Sequence, residues 1–104
     1  MKKLKREFTK KGITYSFVED GENFRIYTGS LNGQTWYEVF QKRINSERMI
    51  AGELIEASEA YPFDEAFGKW AWTASSLEMA RKQGETIKAH KSTTDERPIQ
   101  RGGR

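Results

Sequence analysis

The chain offers few groups able to do covalent chemistry. Its only histidine is His90 and it contains no cysteine. A thiolate metal site, a disulfide, or a nucleophile held by a base and an orienting group therefore lacks its parts. Gly29 and Gly33 belong to a hairpin signal rather than to a phosphate cradle. What remains is carboxylate. Glu53, Glu56 and Glu59 stand at i, i+3 and i+6 and would share one face of a helix, where they could serve acid–base hydrolysis or simply form a wet, charged surface. The inventory thus points to no catalytic residue, metal or cofactor, and to no small-molecule substrate. A protein that is not an enzyme and acts by binding is the expectation.

Binding needs a surface, and two turns define the elements that would carry one. Asn32-Gly33 is a strong type I′ hairpin signal, because both central positions need positive φ. A two-residue loop there sets Thr28 opposite Tyr37, Ile26 opposite Val39 and Phe24 opposite Gln41. Asp20-Gly21 reads as a second turn of the same kind, which sets Phe17 opposite Phe24 and Tyr15 opposite Ile26. On this reading Ile13, Tyr15, Phe17, Phe24, Ile26, Tyr37 and Val39 share one face, and Glu19 opposes Glu22 in a like-charge pair. The other face carries Arg25, Tyr27, Trp36 and Phe40, flanked by Lys42. Aromatic rings beside basic groups suit a protein interface and also suit stacked bases with their phosphates. The same face could equally be covered from within, by Trp70 and Trp72 or by the 47–61 segment.

Later segments supply the cover. Ile50, Leu54, Ala57 and Tyr61 fall at helical spacing after Ser46, so a short helix is expected there, with an extended loop as its rival and Gly52 weakening it. Trp70 and Trp72 would point apart in a helix but share a face in a strand, so Lys69–Ala74 is read as a fourth strand. Asp64 is placed to cap one helical turn that Gly68 ends. Ser75 and Glu78 have capping-box spacing and Gly84 stands where a helix from about Ser76 to Gln83 should close. The expected fold class is α+β: a three- or four-stranded antiparallel meander with a C-terminal helix packed on one face. Residues 1–11 read as a basic N-terminal arm, 12–89 as a single domain, and 90–104 as a flexible tail.

Charge separates these regions. The net charge of +3 is uneven, since 1–11 carries +5 while 12–91, with nine basic and twelve acidic side chains, is −3. Lys2, Lys3, Lys5, Arg6, Lys10 and Lys11 are the candidate phosphate contacts if the partner is nucleic acid; otherwise the arm is a solubilising terminus. From Glu47 to Glu65 six carboxylates face one arginine, an acidic patch that could compete for a basic groove on another protein. No apolar run is long enough to cross a bilayer, and with no cysteine or signal-like start a cytoplasmic setting is expected.

The stretch from Glu59 to Ala80, with Tyr61-Pro62, Asp64-Glu65, Phe67-Gly68, Trp70-Ala71-Trp72 and Ser76-Leu77-Glu78, resembles a pattern of small uncharacterised proteins of bacteriophages and bacterial mobile elements. The likeness extends back to Trp36 and covers about half the chain. It implies a size class and a source, and carries over no catalytic residue. Together with the residues it points to an accessory protein that binds and modulates a host macromolecule, a host protein first (host-takeover or defence-inhibitor type). A small nucleic-acid-binding module is the alternative.

Overall fold

The computed structural model describes residues 1–90, so the expected tail lies, but for His90, outside the described residues. Five antiparallel strands form the main sheet: β1 (Glu7–Lys10), β2 (Ile13–Asp20), β3 (Phe24–Leu31), β4 (Gln34–Gln41) and β9 (Ala71–Ala74), in the order β1-β2-β3-β4-β9. One α-helix, α1 (Leu77–Glu85), packs on it, contacting β3, β4 and β9. The α+β class is as expected, with one strand more. The extra strand is β1, whose residues were expected to lie in a free arm. Lys11 (φ 54°) and Gly12 (φ 81°) make the two-residue turn that returns β1 onto β2. Phe8 then stacks on Tyr15, with ring centroids 5.0 Å apart, and burial of that ring holds the strand in place.

The Asn32-Gly33 hairpin has the expected register throughout, including Ile26 opposite Val39 and Thr28 opposite Tyr37. The first hairpin does not. Asp20 pairs with Arg25, so the loop runs through Gly21–Phe24 rather than closing in two residues, and the ladder is irregular between Phe17 and Glu19. Phe17 consequently lies opposite Tyr27, not Phe24. That shift is an odd number of residues, which sends Tyr15 and Phe17 to the face of Tyr27 and Phe40. Both sheet faces of this chain are aromatic, so apolar alternation fits either register. The local ion pair decides instead, with Arg25 Nε donating to Asp20 Oδ1 at 2.9 Å. Glu19 escapes the expected clash with Glu22 by accepting two hydrogen bonds from Arg81 of α1, at 2.9 and 2.8 Å.

Each face has its own core. Between α1 and the sheet, Ala80 and Leu77 of the helix and Ile87 just after it pack with Ile26, Val39, Phe24, Tyr37 and Trp72. The opposite face holds Tyr27, Phe40, Ala71 and Trp70, covered by Ala60, Tyr61 and Ala66. Trp70 and Trp72 are therefore on opposite faces, against the shared face expected. Trp70 precedes β9, where Gly68 (φ 91°) and a one-turn 3-10 helix (Asp64–Ala66) bend the chain, so strand alternation does not reach it. Asp64 starts that turn but does not cap it; Phe63 holds the cap position, without a side-chain bond.

Two further details of α1 differ from expectation. Its cap is Ser76, whose hydroxyl accepts from Met79 N at 3.2 Å, so Ser75 and Glu78 form no capping box. Gly84 lies inside the last turn rather than closing it. A Cβ there would stand 2.5 Å from the Phe24 ring, so the glycine is required for close approach of helix and sheet.

Nor is the 46–61 segment a helix. It is a second hairpin system of β5 (Ile44–Asn45), β6 (Arg48–Ile50), β7 (Glu53–Ile55) and β8 (Ser58–Glu59). Ile44 pairs with Glu59 and Ile50 with Glu53, and both pairs obey one register around an Ala51-Gly52 turn. Pairing lapses at Glu47 and Glu56, two carboxylates that this register sets opposite each other.

Candidate functional site

The centre of the surface expected on the second sheet face is buried. Tyr27 and Phe40 are 1% and 0% exposed, because the chain after β8 folds over them. The Tyr61 ring lies 5.2 Å from Tyr27 and 4.9 Å from Phe40, edge-on to both. Arg25, also buried, is held by Asp20 and, at 3.4 Å, by Glu59. The Tyr27 hydroxyl donates to the Lys5 carbonyl at 2.7 Å. Lys42 stays partly exposed, 3.9 Å from Asp20. Trp36 is half-buried, and its indole N–H donates to Glu38 at 2.9 Å. Arg25, Tyr27 and Phe40 lie together, as the alternation implied, in a buried layer, with Trp36 and Lys42 partly exposed at its two ends.

At the end of that layer sits a polar knot. Glu38 is buried, with one oxygen accepting from Trp36 and the other from the Tyr61 hydroxyl at 2.6 Å. Burial, with the Glu38 charge close by, holds the Tyr61 hydroxyl far above the ordinary tyrosine range. Burial raises Tyr15 as well, with Glu38 and Asp64 adding to it. The Trp36 and Tyr61 donors at the knot are both committed to Glu38.

The other candidate groups scatter. Glu59 binds Arg25 and accepts from the Leu4 backbone N–H at 2.9 Å, while Glu53 stands in exposed β7. Glu53, Glu56 and Glu59 lie along extended chain, so the helical face that would have gathered them does not exist. Among the described residues no three His, Cys, Asp or Glu side chains gather in a way that could hold a metal ion. Lys2, Lys3, Lys5, Arg6, Lys10 and Lys11 are all exposed, but on a fixed segment rather than a loose arm. Lys2 exchanges backbone hydrogen bonds with Ala57 and Glu59, and the Arg6 guanidinium lies 4.4 Å above the Phe17 ring.

The surface feature that stands out was read as something else. β6 and β7 form a finger that packs on itself and against no other element to a comparable extent. Met49, Ile50 and Leu54 are 63%, 50% and 59% exposed on it, and Met49 pairs directly with Leu54. Glu47 and Glu53 border them beside Arg48, while Glu56, nearer the base, is held by the Met1 ammonium at 3.1 Å. The available signal was Gly52 between the short β-forming runs Met49-Ile50 and Leu54-Ile55. Alanine before the glycine obscured it, since Asn or Asp is the usual residue there.

No protein-family model, curated protein or solved structure matches this chain. The fold defines the class, an α+β protein with a helix-backed antiparallel sheet and a protruding acidic finger. Among the described residues no helix is long and apolar enough to cross a membrane.

Proposed function

We propose that the chain works without catalysis, as an accessory protein that docks on a protein partner through the β6–β7 finger and modulates it by occupying a cleft. One observation carries this reading: three large apolar side chains stand in solvent on well-formed strands that the rest of the fold leaves uncovered. Met49 and Leu54, directly paired, share one face of the hairpin and Ile50 lies on the other, and large apolar groups exposed beside charge mark interaction sites. The rim sets the partner's chemistry, an apolar cleft bordered by lysine or arginine, because Glu47 and Glu53 must be met as the cleft closes on them. The partner is a protein of the host if the phage-like resemblance of the 59–80 stretch holds.

Pull-down from bacterial lysate tests it, with Met49→Thr/Leu54→Thr as the control, a cross-strand pair that keeps the hairpin's register. Both side chains are exposed, so the variant should keep the parent's melting temperature within a degree or two. The expected result is a protein retained by the parent and lost by the variant. Equal retention by both would overturn the finger as the docking element.

A second reading follows from the fixed, exposed positions of Lys2, Lys3, Lys5, Arg6, Lys10 and Lys11: these could contact phosphates of a nucleic acid. A gel-shift titration at low and high salt decides it, since phosphate contacts lose affinity steeply as salt rises. No shift at low salt ends that reading.

A further inference from the structure

We propose that the finger of one molecule seats in a groove on a second copy of this chain, reciprocally, so that unoccupied copies sheathe each other's fingers. The inference rests on the finger being a docking element and names what it docks on when no other partner is present. The groove lies between β1 and the Tyr61–Phe63 segment and has a volume of about 360 Å³. Leu4, Phe8, Pro62 and Phe63 form its walls, with Lys5 and Lys10 at its borders. Phe63 is itself an exposed ring. The finger requires an apolar cleft with a cationic rim, and this groove has both, with room for two side chains of leucine or methionine size.

The two surfaces cannot meet within one molecule. Only Ala60 separates the finger's base at Glu59 from Tyr61 in the groove wall. A paired hairpin cannot fold its tip back through one residue, while the tip stands roughly 20 Å out along the strands. Charge also selects the arrangement. Stacking finger on finger would set Glu47 and Glu53 of both copies against each other, whereas finger in groove sets them against Lys5 and Lys10. Exchange of fingers in both directions makes the contact self-complementary, and a self-complementary contact closes as a twofold dimer rather than a filament.

Sedimentation velocity on the full chain, from about 1 to about 100 µM, tests this range of weak association. The finger variant is Met49→Thr/Leu54→Thr; the groove variant is Lys10→Glu/Phe63→Glu, again at exposed positions. The expected result is a concentration-dependent dimer for the parent, at least ~10-fold weaker in each variant alone. An equimolar mixture of the two variants should dimerise better than either alone, since one intact finger then meets one intact groove. Raising salt to about 1 M, where screening is nearly complete over about 3 Å, should weaken the parent dimer. A parent monomeric at all concentrations overturns the proposal, as does a dimer that the groove variant leaves unchanged. Its failure is separable from failure of the finger reading. A monomeric parent that still loses a lysate protein on finger mutation removes only the self-pairing, while a groove-dependent dimer with no such protein leaves the second copy as the finger's partner.

Discussion

Two hairpins of this chain share a turn. Asn32 and Gly33 have φ of 51° and 81°; Ala51 and Gly52 have 52° and 79°. Both connect strands in unbroken two-residue register. From the first turn the strands run into a sheet buried on both faces, with Ile26, Tyr27, Val39 and Phe40 almost inaccessible to solvent. From the second they run along a finger whose largest apolar groups remain exposed. Identical backbone geometry therefore serves two ends. In the body the apolar residues stabilise the fold; in the finger they add little to it, and the proposed docking gives them a role outside the chain.

The comparison breaks first at equal truncations. Phe40→Ala removes a ring wedged between Tyr27 and Tyr61, with no room for the neighbours to collapse around so large a gap. It should cost about 3–5 kcal/mol, a large share of a small domain's stability. Leu54→Ala in the finger should change stability by less than about 0.5 kcal/mol. Urea denaturation of both variants measures the pair. A Leu54→Ala cost above about 2 kcal/mol, the range of buried leucines, would mean the finger folds against the body after all.

A second test sharpens the contrast by titrating the buried layer alone. Tyr15, Tyr27 and Tyr61 all have hydroxyls raised above the ordinary range, burial being the first cause in each. A raised folded value means that the folded chain keeps protons the unfolded chain releases. Stability from these groups is present below about pH 10 and falls as pH climbs past it, by about 1.4 kcal/mol per pH unit per retained proton. Tyr61→Phe should lower stability at neutral pH by about 1–3 kcal/mol, since Glu38 loses a donor, and should make the alkaline decline shallower by about one proton. Denaturation midpoints between pH 8 and 11 report both. Parallel alkaline slopes for parent and variant would exclude Tyr61 as a contributor.

How much of this was legible in the sequence differs by region for physical reasons. The Asn32-Gly33 register could be read because the dipeptide favours one turn type and the flanking residues alternate in agreement with it. Asp20-Gly21 misled because a turn-forming dipeptide does not set loop length; the Arg25–Asp20 ion pair and a lapse in the ladder near Val18 do. Doubly aromatic strands gave burial no preference between the registers. β1 was hidden by its lysines, although Leu4 and Phe8 were the residues that anchor it. The finger was hidden because Ile50, Leu54 and Ala57 match helical spacing as well as a hairpin, and a short apolar set cannot separate the two periods. The exposure of the Arg25–Phe40 face was misjudged because it depends on a distant segment, here Ala60–Ala66, laid across it.

The smallest effect tests the turns themselves. Asparagine tolerates the left-handed region, while alanine there costs on the order of 1 kcal/mol. Ala51 nevertheless occupies φ 52° at the finger tip, so the body's turn matches its residue and the finger's does not. Asn32→Ala should therefore lower global stability by about 1 kcal/mol, because both strands of that hairpin are integral to the sheet. Ala51→Asn should leave global stability unchanged within about 0.5 kcal/mol, yet slow hydrogen exchange at the cross-strand amides of β6 and β7 by up to ~5-fold. The local gain stays local because the finger opens without the body. If Ala51→Asn instead raised the global midpoint in step with the exchange protection, finger and sheet would unfold as one unit, and the independence on which the docking role depends would be lost.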